Sequence, residues 1–345
     1  MIQGSRRSRR RRRLRLGVAL VCAAVLATLG VSQLTGLLQW RAFERRVESA
    51  IFAPAAGPVR EVPLVFAYAG RTHLISVPVY ADDVERGRVL DTSDVFDARG
   101  ALRARYLRTL VDSTSRSRLV RALADDFRVI RLERRLDSDE YLELMARAIQ
   151  EIPHGAARAD FMLPAEMIAL RSGVCSEKSL LLAALLKHEG YDASIIVFDG
   201  RKHVAVGVAC EGPGYLGTGY TFVETTRGMY VGQVSPEFRS VGPVTDMPQV
   251  VSTSEGRGYT STGEVATILR TLEVAQRRQA AHAAFVRYAL TATLHRDRYA
   301  QRAQQFVTAE GIASFIVENS NDRAGVYRAL TATAGDRVLE ESSRL

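Results

Sequence analysis

Apolar and polar positions repeat along this chain with three different periods. From Val62 to Tyr80, "VPLVFAYAGRTHLISVPVY", two runs rich in Val, Ile, Tyr and Phe flank Ala69-Gly70-Arg71. Their alternation predicts a β-hairpin with one buried face. From Ala101 to Ile152 the apolar residues fall at steps of three and four, which predicts helices, with Asp137 as the cap of "SDEYLELMARAIQEI". Pro153 and Pro164 bracket a loop. A helix is predicted from about Ser176 to His188, closed by Gly190. The runs "ASIIVF", "HVAVGVAC" and "YTFVETT" that follow are three strand candidates. Glu264 to Glu310 contains no Gly or Pro and predicts a long helix, with a break near "TLHRDRY". No internal repeat is present.

Near the N-terminus the periodicity disappears. Leu16 to Leu38 is a run of 23 residues without a charge. At ~1.5 Å per residue it can cross a hydrocarbon core of about 30 Å, which predicts one transmembrane helix. Eight arginines precede it, so the positive-inside bias keeps the N-terminus in the cytoplasm and exports the rest. A cleaved signal peptide, with a small-residue site around Gly30 and Ser32, is the competing expectation. Trp40 to Glu61 reads as a helical stalk and an Ala/Pro/Gly linker, "FAPAAGP".

Charge changes this picture less than its total suggests. Of the formal net charge of +9, eight units sit in the first fifteen residues, which leaves 39 basic against 38 acidic groups in the rest. The exported part is therefore nearly neutral and gives no ground for a nucleic-acid partner. At 345 residues, 47% apolar and 25% charged, the chain has an ordinary globular composition.

Three cysteines remain to be placed: Cys22 in the apolar span, Cys175 and Cys210. Cys175 stands in "RSGVCSEKS", where a glycine turn meets a helix start. Helix N-termini carry partial positive charge and unpaired N–H groups, which favour a thiolate and offer donors to an oxyanion. His203 heads the second strand candidate, 28 residues on, and Glu224 lies at the end of the third, 21 residues further. A base and an orienting acid on adjacent strands suit nucleophilic catalysis. Duller readings stand beside this one. Cys175 can pair with Cys210 in an oxidising compartment, His203 can be a surface residue of the polar turn "DGRKH", and Glu224 can pair with Arg227. Glu177 and Lys178 read as a solvated first turn, and His188 as a favourable charge at a helix C-terminus. His73, His154, His282 and His295 have no metal-ligand spacing, and HExxH, CxxC and P-loop motifs are missing, so neither metal nor cofactor is expected.

Taken together, "GVCSEKSLLLAALLKHEGYDASIIV", "HVAVGV" and "YTFVETT" resemble the transglutaminase-like superfamily of cysteine enzymes. The nearest likeness is to its prokaryotic membrane-associated branch, through the lead-in Pro164-Ala165-Glu166-Met167-Ile168 and the "ETT" ending. The resemblance spans about Ile149 to Gly232. It implies an α+β fold with a papain/transglutaminase-like core, a Cys-bearing helix packed on an antiparallel sheet. It also implies nucleophile Cys175, base His203 and acid Glu224, with Gln150 of "AIQEIPH" as an oxyanion helper. Val174 and Ser176 stand where many relatives carry acids, and Ala169 stands where papain-type relatives carry an oxyanion glutamine.

The implied organisation is a cytoplasmic tail (1–15), a transmembrane helix (16–38), a stalk (39–61), a β-hairpin with helices (62–137), a transglutaminase-like domain (138–245) and a helical C-terminal region (246–345). The implied function is a membrane-anchored extracytoplasmic thiol enzyme that cleaves or transfers peptide or isopeptide amides in the cell envelope. The alternative is a catalytically inactive envelope scaffold with the same domain.

Overall fold

In the computed structural model, which describes residues 34–55, 57–156, 161–234, 247–291 and 310–333, helices and two small antiparallel sheets form a mixed α+β architecture. Helix α1 (34–52) comes first. The helix expected of the stalk is present and packs on the rest of the chain: Phe43 and Val47 are buried, and the Trp40 indole donates to Thr109 Oγ1 at 2.9 Å. Burying an aromatic and a valine outweighs whatever the polar face of the helix gains from standing clear in water.

Strands β1 (Val59–Tyr68) and β2 (Arg71–Tyr80) form the expected hairpin. Ala69 and Gly70 both adopt positive φ, the geometry of a two-residue hairpin turn. Val62, Leu64, Phe66 and Tyr68 face inward together with Ile75, Val77 and Val79, which is the buried face that the alternation predicts. Helices α2 (Ala81–Arg88), α3 (Asp94–Asp97), α4 (Gly100–Ser115), α5 (Arg118–Arg134) and α6 (Ser138–Gln150) follow. Asp137 caps α6 as expected: its side chain accepts from Glu140 N at 2.8 Å while Glu140 reaches back to Asp137 N at 3.0 Å.

After the loop from Pro153, α7 (Pro164–Leu170) opens with its proline in the first turn, where no N–H is missed. Helix α8 (Cys175–His188) ends in a glycine motif: Gly190 has φ +78, its N–H bonds Lys187 O, and Tyr191 N–H bonds Leu186 O. Leu180 to Leu186 is buried at every position. This helix is the centre of the core, with α4, α5, α6 and the larger sheet around it.

That sheet has the order β5-β4-β3-β6, all antiparallel, from β3 (Ala193–Phe198), β4 (His203–Ala209), β5 (Tyr220–Val223) and β6 (Gln249–Ser252). The three expected strands are present. The fourth, β6, falls inside the region assigned to C-terminal helix and pairs with β3, so the larger sheet extends past residue 245. Helix α9 (Thr262–Thr291) then begins, and α10 (310–318) and α11 (Arg323–Thr333) end the described chain. The arginine tail, residues 16–33 of the apolar span with Cys22, and the "TLHRDRY" break lie outside the described residues. Among the described residues no helix is long and apolar enough to cross a membrane.

Asp139, buried in the first turn of α6, anchors the segment between β6 and α9. Its Oδ2 accepts from the N–H and hydroxyl of Thr260 (3.0 and 2.7 Å) and of Ser261 (2.7 and 2.6 Å). Asp139→Ala takes the shared acceptor from the backbone N–H groups of Thr260, which is exposed, and Ser261, which is half-buried, and should destabilise the fold by about 2 kcal/mol. Urea unfolding checks this, with loss under about 1 kcal/mol as the contrary result.

Candidate active site

The approach to Cys175 is shaped by close contacts. Gly173 N–H donates to Pro153 O at 3.1 Å and its carbonyl accepts from Gly155 N, which ties this turn to the loop leaving α6. A Cβ on Gly173 would lie 2.5 Å from Met167 Sδ and 3.3 Å from Glu177 Oε2, so only glycine lets the turn press against α7. Glu177 is buried rather than solvated. Its Oε2 accepts from Val174 N at 2.9 Å and its Oε1 from Met162 N at 3.0 Å, fixing both strands of the loop that carries the cysteine. Val174 has no side-chain acceptor, so α8 starts without a side-chain N-cap. Cys175, half-buried, thus sits at a helix end whose first N–H groups are not taken up by a cap.

His203 reaches this point from the sheet. A 3-10 turn, Asp199–Arg201, and Lys202 in the left-handed region bring β3 round into β4, so that His203 is the first residue of its strand. Arg103, itself buried, pins the turn by an ion pair to Asp199 at 2.8 Å. The imidazole is only 3% exposed and lies over the Phe198 ring, so it is no surface residue of the "DGRKH" turn.

Glu224 follows β5 and is fully buried. Its Oε2 lies 3.2 Å from His203 Nε2. Its Oε1 accepts three hydrogen bonds, from Thr225 N (3.0 Å), Thr226 N (2.8 Å) and Thr226 Oγ1 (2.6 Å). Burial raises the pKa of this carboxyl, but His203 and the Thr226 donors outweigh it and hold the group below its ordinary value. The partner of Glu224 is His203. An ionised carboxylate only accepts, so Nε2 carries a proton and Nδ1 is left for the thiol.

Burial alone would lower the His203 pKa. Hydrogen bonds to Cys175 and Glu224 reverse the sign and lift it to about 9. The three side chains therefore meet as one charge-coupled group, Cys175 from a helix start, His203 from a strand start and Glu224 from a strand end. A further chain clamps the three elements: Thr225 Oγ1 bonds Cys175 O (3.5 Å) and Ser179 Oγ (3.2 Å), and Ser179 Oγ bonds Val204 O (3.2 Å).

Gln150 has a different task from the one expected of it. Its Nε2 donates to Glu224 O (2.9 Å) and Met229 O (3.1 Å), and its Oε1 accepts from Met229 N (3.2 Å). Both amide N–H groups are occupied, so none is left for an oxyanion; Gln150 holds the backbone of Glu224 instead. Cys210 is likewise no partner for Cys175, for both thiols are free. Cys175 lies beside the start of β4 and Cys210 just past its end, roughly 20 Å away at the rise of a strand. Ser179, Thr225 and Thr226 were not singled out as functional in the sequence. Their signal was the position of Ser179 four residues after Cys175, on the same helix face, and the hydroxyls directly after Glu224.

A histidine whose folded pKa is raised contributes stability that is complete below its unfolded value near 6.5 and is lost as pH rises through about 9. Glu224→Gln removes one of the two partners, Cys175 and Glu224, that raise the His203 pKa. The stability gap between wild type and this variant should therefore narrow by about 1 kcal/mol between pH 7 and pH 9.5, the share of the shift that Glu224 supplies. Denaturant unfolding at the two pH values measures it, and a gap independent of pH is the opposite outcome. No protein-family model, curated protein or solved structure matches the chain.

Proposed function

We propose that this protein is a transglutaminase-like thiol enzyme that cleaves or transfers peptide or isopeptide amide bonds. The observation that carries the reading is the meeting of Cys175, His203 and Glu224, with the Glu224 carboxylate on Nε2 of an imidazole whose hydrogen-bonded partner on the other side is the thiol. Cys175 as thiolate adds to the amide carbonyl carbon, and the oxygen takes up the negative charge near the uncapped N–H groups of the first turn of α8. The imidazolium of His203 then gives its proton to the leaving amine, and the C–N bond breaks to leave a thioester. Water or an amine attacks the thioester, His203 takes the proton of the attacking group, and the thiolate leaves. Glu224 holds the ring in place and balances its charge throughout.

The arginine-rich tail and the uncharged run from Leu16 to Leu38 support an extracytoplasmic location, with one N-terminal helix in the membrane and the substrate a protein or peptide of the cell envelope. Hydrolysis is the simpler outcome because water needs no acceptor site.

A panel of electrophilic peptide amides tests this proposal on the full chain. Wild type should be labelled at Cys175, Cys175→Ala not at all, and His203→Ala at a rate lower by at least about a hundredfold, the usual share of a general base. Equal labelling of all three would remove the mechanism, and labelling confined to Cys210 would do the same.

A further inference from the structure

We infer that Lys178 is a fourth, charge-balancing member of this site, a positioning residue whose ammonium sustains the Cys175 thiolate. The inference rests on the thiol-enzyme reading above and adds a residue to it. Lys178 lies three residues after Cys175, on the same face of α8, and is fully buried although the sequence read it as a solvated first turn. The hydrogen bond its ammonium makes among the described residues goes to Gln150 O, at 3.3 Å. Gln150 is the last residue of α6 and also the residue whose amide holds Glu224. Lys178 therefore touches the support of the catalytic acid from a helix whose first residue is the nucleophile.

Charge explains why a lysine is there. An ammonium has three donors, and burying it on one carbonyl is unfavourable unless negative charge lies close by. The charges that act on Lys178 are those of Glu224, Glu151 and Cys175. Glu151 is already paired with Arg147 at 2.6 Å. What remains is Glu224 and the thiolate on the negative side, against the His203 imidazolium. With Glu224 already on His203, a thiolate would leave the buried group with one uncompensated negative charge. The Lys178 ammonium brings the sum to zero, two anions facing two cations. Burial lowers its pKa to about 8, so near neutral pH the ammonium is still the main form.

A purely structural Lys178, capping the carbonyl end of α6, makes a different forecast. Lys178→Met keeps the length of the side chain and gives up one hydrogen bond to Gln150 O, so a structural role alone predicts no more than a lower melting temperature. With the charge-balancing role, Cys175 of this variant should also react with iodoacetamide at pH 7 about tenfold more slowly, the effect of removing one close opposite charge. Site-resolved mass spectrometry separates Cys175 from Cys210 and Cys22. An unchanged alkylation rate at Cys175 in a folded Lys178→Met overturns the inference, and leaves the triad intact if wild type reacts faster than a free thiol. A wild-type Cys175 no faster than a free thiol overturns both.

Should Lys178→Met not fold, the same coupling can be read from the other side. The chain has three lysines, Lys178, Lys187 and Lys202, so lysine side-chain carbon resonances can be followed by NMR in the full-length protein in detergent. The Lys178 resonance should titrate near pH 8 in wild type and at a lower pH in Cys175→Ser, which lacks the anion. A Lys178 titration that does not move in Cys175→Ser overturns the inference.

Discussion

A fully buried carboxylate that must stay ionised is the constraint around which this molecule is arranged. Glu224 has no contact with water, and a carboxylate taken out of water is tolerable only when its lone pairs are filled and its charge is met. Two backbone N–H groups and a threonine hydroxyl fill one oxygen, and the His203 ring meets the other. Each partner must be delivered by a different element. The turn after β5 has to fold back on its own carboxylate, β4 has to begin at residue 203, and Gln150 at the end of α6 has to hold the Glu224 carbonyl.

Once those are fixed, the position of Cys175 follows. Helix α8 is apolar on all sides from Leu180 to Leu186 and lies at the centre of the core, so its first turn is presented to the start of β4 with little freedom. Ser179 and Thr225 lock that approach through side-chain hydroxyls, and Glu177 locks the loop in front of it. The end of the helix that carries Cys175 is thus the rigid end, held by hydrogen bonds on both sides. Preorganisation of this kind holds a thiol, an imidazole and a carboxylate in one fixed, charge-sharing arrangement.

Much of this was legible in the chain. Alternation marked the hairpin, Asp137 and Gly190 marked helix ends, and the order of Cys-bearing helix, His-led strand and Glu-bearing strand marked the three groups that meet. What was hidden has physical reasons. Strand β6 is four residues long, too short to set up a period. Helix α1 looks like a stalk because its amphipathic face is narrow, yet that face packs on the domain. Glu177 and Lys178 sit in a first turn where charged residues are normally solvated, and only the three-dimensional crowding around α8 buries them. Gln150 was picked out by its place in the chain, but its role depends on where its two donors point, which no one-dimensional pattern encodes.

All of this converges on one quantity, the protonation state of a single imidazole. Following the His203 ring protons by NMR across pH in the full-length protein reads it directly. A charge-coupled site predicts a midpoint raised to about 9 by Cys175 and Glu224, falling when Glu224 is replaced by Gln. A midpoint at or below about 6.5, the value of a free histidine, or one indifferent to Glu224, would contradict the charge-coupled site on which the whole account rests.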